Sequence, residues 1–512
     1  MMRESRVHKS LLNAKTNLIF YLIFVLLSFF SRKIFLENLG ADFMGLSGTL
    51  SNILGLLSLA EMGVSAAISY SLYKPLERGD KETIKEIVSV LGYMYQKIGL
   101  IILFVAFVVS LFLPLIFNDT IFDLSLIFLA YYSLLISVLL GYFLNYKQIL
   151  LTADQKGYVV TGYLQGVAVV KVILQMLFAY YWKSFYAWIY LELFFSFLAC
   201  VILNRRIRRT YPWLDTNVSE GRKLFERHKK IITFTKKVFV HKIKDFLSTQ
   251  SDQIFIYAFV SLKMVAFYGN YILIVSKVSS AFDYALNSFN AGIGHLVAEG
   301  NKDNNLCVFW ELVSIRFIVA GFLIFSIFNF MEPFILLWLG NQYILDRTIL
   351  FLLMINIFIM QTRGAVDVFN TAYGHYADTW SAWVELTINI TVTIIAAPFW
   401  GIAGILFGKI ASTILVVIIW KPYYLFKIGF KKRISLYWKM KIRYYIAFIL
   451  SLFWGNLLIG IIPFDEKLNF SFFAMKISFC LFLYMVMYIV LLLLLTQGTR
   501  FLFKRILNIC RQ

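Results

Sequence analysis

Charge is scarce in this sequence: Asp, Glu, Lys and Arg make up 15% of its 512 residues, where a soluble domain carries about 25%. Proline is rare as well. All seven (Pro75, Pro114, Pro212, Pro333, Pro398, Pro422 and Pro463) fall at or near the ends of apolar runs, where a missing N–H costs little. Proline therefore signals none of the unwound mid-membrane helices found in some ion-coupled transporters. The four cysteines, Cys200, Cys307, Cys480 and Cys510, lie far apart without CxxC spacing, which argues against a disulfide framework or a metal site. The five histidines (His8, His228, His241, His295 and His375) are equally dispersed. No GxxxxGK[ST] loop and no HExxH occurs, so neither ATP hydrolysis nor zinc chemistry is signalled. The first apolar run, near Asn17 to Ser31, is not followed by a small-residue cleavage site. It reads as a retained helix.

What is abundant is apolar length. Hydrophobic residues reach 60% and the mean hydropathy is +0.75. These residues gather in runs of ~20, enough to cross ~30 Å of hydrocarbon. Such a chain must satisfy its backbone within helices, and its Leu, Ile and Phe runs lack the alternation of a β-barrel. An all-α membrane protein of about fourteen transmembrane helices is expected. The spans are 14–36, 45–71, 87–116, 122–144, 158–181, 185–203, 236–259, 266–296, 306–330, 347–369, 379–399, 402–420, 445–463 and 472–495.

The net charge of +21 would suggest nucleic acid for a soluble chain. Here the basic residues lie between apolar runs and read as topogenic, so no nucleic-acid partner is expected. With both termini in the cytoplasm, about 38 of the 49 Lys and Arg fall inside and about six outside, as the positive-inside rule requires. The stretches Arg205–Arg209 and Lys427–Arg443 then orient the chain and touch anionic lipid. Most tryptophans (Trp182, Trp188, Trp338, Trp400, Trp420, Trp438) suit an interfacial belt.

A faint repeat runs through the chain. The segment Phe43–Thr83 ends Glu77-Arg78-Gly79-Asp80-Lys81-Glu82, and 221 positions later stands Ala298-Glu299-Gly300-Asn301-Lys302-Asp303. With the basic loop between, this suggests two like-oriented six-helix halves. The expected organisation is a first bundle at 1–210, a basic linker at 211–235, a second bundle at 236–425, and 426–512 with a basic loop, two extra helices and a cytoplasmic tail.

Several segments carry a family resemblance. Leu39-Gly40-Ala41-Asp42-Phe43-Met44-Gly45-Leu46 is followed by Leu59-Ala60-Glu61-Met62-Gly63 and Tyr73-Lys74-Pro75-Leu76. Further pieces are Ala153-Asp154-Gln155-Lys156-Gly157, Val265–Tyr271, Leu336–Gly340 and Trp420-Lys421-Pro422. From about residue 10 to 425 the succession resembles Wzx-type polysaccharide flippases, within the multidrug/oligosaccharidyl-lipid/polysaccharide (MOP) exporter superfamily. The resemblance implies a MATE/MOP-like fold, with two six-helix bundles around a central cavity and optional extra helices. It implies alternating access in a bacterial cytoplasmic membrane, on an undecaprenyl-pyrophosphate-linked oligosaccharide bound for O-antigen or capsule. Polysaccharide polymerases or glycosyltransferases would be partners. No cofactor is expected, and energy would come from an H+ or Na+ gradient or from coupled assembly on the far side.

Ionisable groups within spans are costly and usually face a cavity or a partner. Arg32, Lys171, Lys277, Arg316 and Lys409 are candidates for a cationic cavity suited to phosphate oxygens or acidic sugar. Glu61, Asp252, Asp283 and Glu385 are candidates for ion coupling or cavity lining. Blander readings stand beside these. Lys171 and Glu192, on adjacent spans, could instead pair structurally. Lys277 and Asp283, six apart, point to different faces of one helix. Asp245 resembles a local solvated pair with His241 or Lys242, and Lys33 snorkels. Asp252 and Gln253 follow Ser248, Thr249, Gln250 and Ser251, a polar run ill suited to lipid. Glu61 and Glu385 could equally pack as protonated carboxyls. Arg363 and Asp367 complete the intramembrane set, and Tyr268, Tyr271 and Tyr373 are candidates for sugar stacking. A drug or cation exporter of the superfamily would want an acidic cavity instead. A lipid II flippase is poorly separated, because its substrate also carries pyrophosphate. A membrane-embedded polymerase or ligase usually needs a large outer loop, and every outer loop here is short.

Overall fold

The computed structural model describes residues 6–57, 64–216, 218–225, 251–287, 290–374, 379–461 and 470–510. Among them the chain is all helix and connecting turn, without strands. The first unit holds α1 (Arg6–Leu57), α2 (Val64–Arg78), α3 (Lys81–Ile116), α4 (Leu124–Phe143), α5 (Gln148–Ala153), α6 (Gly157–Trp182), α7 (Phe185–Thr210) and α8 (Val218–Phe225). A helix at 251–259, α9, follows. Beyond it lie α10 (Leu262–Asn287), α11 (Asn290–Ala298), α12 (Lys302–Trp338), α13 (Arg347–Ala372), α14 (Thr379–Trp400) and α15 (Ile402–Thr413). α15 continues through π-helical Ile414–Trp420, α16 (Lys421–Tyr424) and π-helical Leu425–Phe430. Last come α17 (Ile434–Ile461), α18 (Phe470–Leu495) and α19 (Gln497–Cys510).

Twelve of these helices are long and apolar enough to cross a membrane. Two features account for the difference from fourteen. The expected span 236–259 lies mostly outside the described residues. The first two spans run together as α1, which breaks at Gly40 (φ 84°, ψ 162°). Only glycine enters that backbone region without penalty, so Gly40 divides α1 close to where the sequence separates 14–36 from 45–71. Large apolar side chains face outward: Phe399 is 81% and Leu115 72% exposed. Rows of such residues on helices suit hydrocarbon, not water.

The chain forms two compact units, Met1–Ala266 and Phe267–Gln512. Residues 251–266 pack within the first of these units. Asn52 Nδ2 donates to Gln253 Oε1 at 2.6 Å. The Tyr257 hydroxyl donates to Ile116 O, and its ring stacks on Phe117 at 4.9 Å. Gly45 admits the carbonyl of Leu262, whose oxygen would lie 2.0 Å from an added Cβ.

The repeat has a physical counterpart. Gly79 (φ 69°) and Gly300 (φ 80°) both take left-handed backbone. The next residue in each case caps a long helix: Asp80 accepts from Thr83 N and Asn301 from Asn304 N. These N-caps open α3 and α12, 36 and 37 residues long.

In the second unit α12 is the central helix, with Phe309, Trp310, Phe317 and Phe325 all buried. α17 and α18 are built into this core. Phe325 stacks on Tyr484 at 3.8 Å, Tyr488 donates to Phe317 O at 3.0 Å, and Ser314 bonds Tyr444 at 2.8 Å. Gly321 makes room for the Tyr488 ring, 2.1 Å from where a Cβ would stand. The basic stretch 427–443, expected as a surface loop, enters α17 at Ile434, and the expected tail is α19, folded against α12. The apolar cost of leaving α12 uncovered decides both outcomes.

Candidate functional site

The first unit spends its charges locally. Lys171 Nζ on α6 and Glu192 Oε1 on α7 meet at 2.6 Å. Gln175 Nε2 donates to the other carboxylate oxygen and to Trp188 O, both at 3.2 Å. Of the two readings of Lys171, the geometry displays the structural pair. Arg32 Nη2 donates to Ala266 O at 2.7 Å, joining α1 to the start of α10. Asp252 is buried and neighbours the Gln253–Asn52 contact. Glu61 and Asp245, with His241, Lys242 and Ser248–Gln250, lie outside the described residues.

The second unit brings together two residues that the sequence assigns to different roles. Arg316 on α12 and Asp283 on α10 pair at 3.2 Å, with side-chain exposures of 8% and 34%. Arg316 Nη1 also reaches Gln361 Oε1 at 3.4 Å, while its Nε, fully enclosed, has no hydrogen-bond partner among the described residues. Gly364 on α13 provides the seat: an added Cβ would stand 2.6 Å from the guanidinium carbon. One residue beyond Gln361, Thr362 O accepts from Lys441 Nζ at 3.2 Å. Lys441 is 2% exposed, and its ammonium lies 4.5 Å from the centre of the Phe317 ring. The Tyr437 and Tyr445 rings lie 5.8 and 5.9 Å away; its described contacts include no carboxylate, so three rings and one carbonyl hold its charge.

Lys277 and Lys409 are half-buried and Glu385 is buried. Arg363 and Asp367 form a local i,i+4 pair at 3.2 Å. The stacking roles for Tyr268 and Tyr271 do not fit the structure, since both are core residues and the Tyr271 hydroxyl accepts from Leu345 N at 2.8 Å. Tyr373 bonds Asn305 at 3.2 Å.

Sequence reading missed two buried charges. Lys441 was hidden inside a run of surface-like basic residues. Glu311, inside an expected span, went unremarked; it pairs with Arg505 of α19 at 3.1 Å. The only sequence signal was its lone carboxylate among apolar neighbours. Among the described residues no group of His, Cys, Asp and Glu could hold a metal ion.

No protein-family model matches the sequence, and no curated protein does. Solved structures do match. The lipid II flippase MurJ, in an inward closed conformation, superposes with a TM-score of 0.63 at 12% identity, over 94% of this chain and 99% of that one. An inward-facing multidrug resistance MATE family transporter of the MOP superfamily gives 0.58 at 13% identity, over 78% of this chain and 92% of that one. An outward-facing one gives 0.55 at 13%, over 81% and 94%. The chain has the fold of multi-pass membrane transporters. More narrowly, it is the MATE/MurJ-like fold, and each of these neighbours is named as a flippase or transporter and none as an enzyme.

Proposed function

We propose that this chain is a flippase moving an undecaprenyl-pyrophosphate-linked oligosaccharide from the inner to the outer leaflet by alternating access, for surface polysaccharide. The carrying observation is Arg316: a guanidinium enclosed within the membrane-spanning part and paired with Asp283, whose Nε has no hydrogen-bond partner among the described residues. Keeping such a charge desolvated is expensive, and a pyrophosphate headgroup gives it a use. Lys441, with no carboxylate among its described contacts, adds a second cation on the same unit. Lys277, Lys409 and Arg32 extend the candidate set, while Asp283 and Glu385 are the candidate proton or sodium ligands. The protein acts in the bacterial cytoplasmic membrane with both termini inside.

The test is to delete the gene and analyse lipid-linked sugars and surface polymer together. The reading expects a complete lipid-linked oligosaccharide to accumulate on the inner leaflet while surface polymer is lost. Accumulated lipid II with intact polysaccharide would instead favour a lipid II flippase. Unchanged glycolipids with altered drug sensitivity would favour a drug exporter. Oligosaccharide on the outer leaflet but unpolymerised would favour a polymerase. Lys277→Ala and Arg316→Ala, with protein level controlled, test the cationic site; undiminished export by both would remove it.

A further inference from the structure

α18 ends at Leu495 and α19 begins at Gln497, so α19 starts at the membrane surface where that transmembrane helix emerges. Arg500 fixes the turn, donating from Nε to Leu493 O at 2.7 Å and from Nη2 to Leu494 O. α19 carries Arg500, Lys504 and Arg505 and no acidic residue. Phe501, Ile506 and Leu507 are 41%, 45% and 56% exposed. A basic amphipathic helix in this position lies in the lipid headgroup region.

Between α19, α11 and α12 runs a groove of about 400 Å³, in the size range of ligand sites (~300–1,000 Å³). Its wall is apolar: Ile293 and Leu296 from α11, Val308, Leu312 and Ile315 from α12, and Leu502 from α19. Among the described residues, Glu311 and Arg505 are its polar pair. The Glu311 carboxylate is 8% exposed and takes Arg505 Nε at 3.1 Å, while the Arg505 side chain is 48% exposed. Glu311 thus orients the guanidinium through Nε, and among the described residues its two terminal nitrogens are left for another acceptor. Those nitrogens present the fork that matches phosphate oxygens. At Gly292, on the α11 side, an added Cβ would meet nothing within 4 Å.

We propose that this groove holds one anionic phospholipid, an acyl chain along the apolar wall and the phosphate on Arg505. The charge of α19 selects the headgroup and the apolar wall takes the chain. The lipid ties α11, and through it the helix bearing Asp283, to α12 and α19. This site stands apart from the flippase reading and fails or survives independently of it.

The experiment is native mass spectrometry of the full-length protein, delipidated in detergent and titrated with dioleoylphosphatidylglycerol or dioleoylphosphatidylcholine. The wild type is expected to retain one phosphatidylglycerol about tenfold more strongly than phosphatidylcholine, as a charge-assisted contact provides. Arg505→Gln should erase that preference. Gly292→Phe should fill the groove and weaken both lipids. If Arg505→Gln fails to fold because Glu311 is left unpaired, the double variant Glu311→Gln with Arg505→Gln replaces it. Equal retention of the two lipids by the wild type overturns the proposal. So does a phosphatidylglycerol preference that survives both the groove-filling and the Arg505 variants.

Discussion

Removing either member of the Arg316–Asp283 pair should have sharply unequal consequences. Arg316 is enclosed, with a side chain 8% exposed, whereas the Asp283 side chain is 34% exposed. Asp283→Ala strands a desolvated guanidinium with Gln361 Oε1, at 3.4 Å, as its remaining hydrogen-bond acceptor among the described residues. Breaking a buried pair in this way costs about 3–5 kcal/mol. Arg316→Met leaves instead a carboxylate one-third in contact with solvent and refills the site with apolar volume. Its cost should stay near the ~1.5–3 kcal/mol of a charged hydrogen bond. The double variant should be more stable than Asp283→Ala alone, since no charge is then stranded. Reversible unfolding of the full-length protein in mixed micelles, followed by circular dichroism, measures all four corners of the cycle. Equal losses for the two single variants, or additive losses in the double, would refute this reasoning.

Other expectations concern separate sites. Lys441→Met should be neutral or stabilising in the same unfolding assay, because a buried charge held by aromatic rings and one carbonyl is replaced by an apolar chain of similar size; if Lys441 serves translocation, export should fall nonetheless. Gly364→Ala should evict the Arg316 guanidinium, whose carbon would lie 2.6 Å from the new Cβ, and lower polysaccharide export at unchanged protein level. Gly45→Ala forces a Cβ against the Leu262 carbonyl at 2.0 Å and should cost at least ~1–3 kcal/mol of stability. Asp154 lies between two spans. Burial pushes its carboxyl up, but hydrogen bonds from Lys156 and Tyr211 and the charges of Lys156 and Lys9 outweigh this and hold it below the usual range. A depressed folded pKa makes its stabilisation fully present above the ordinary carboxylate value of ~3.9 and lost as pH falls through the lowered value. The stability gap between wild type and Asp154→Asn should therefore be constant from pH 8 to 5 and close only at stronger acid; a gap that closes near neutrality contradicts this.

Hydrophobic length alone determined the class of this protein. A chain with 60% apolar residues in runs of this length belongs in hydrocarbon, where helices satisfy the backbone, so its helices and most of their bounds were legible. Local chemistry also marked its own positions: the Gly-Asx pairs at 79–80 and 300–301 cap helices because positive φ and a side-chain acceptor act over a few residues. Tertiary structure alone decided which charges meet. Asp283 and Arg316 are 33 positions apart, and Lys441 reaches Thr362 across 79; helical periodicity says nothing about such pairings. The basic run that hides Lys441 looks like a solvated loop until α17 is packed against α12. The α19 groove exists only once the tail folds back, since its walls come from three helices that no local rule brings together.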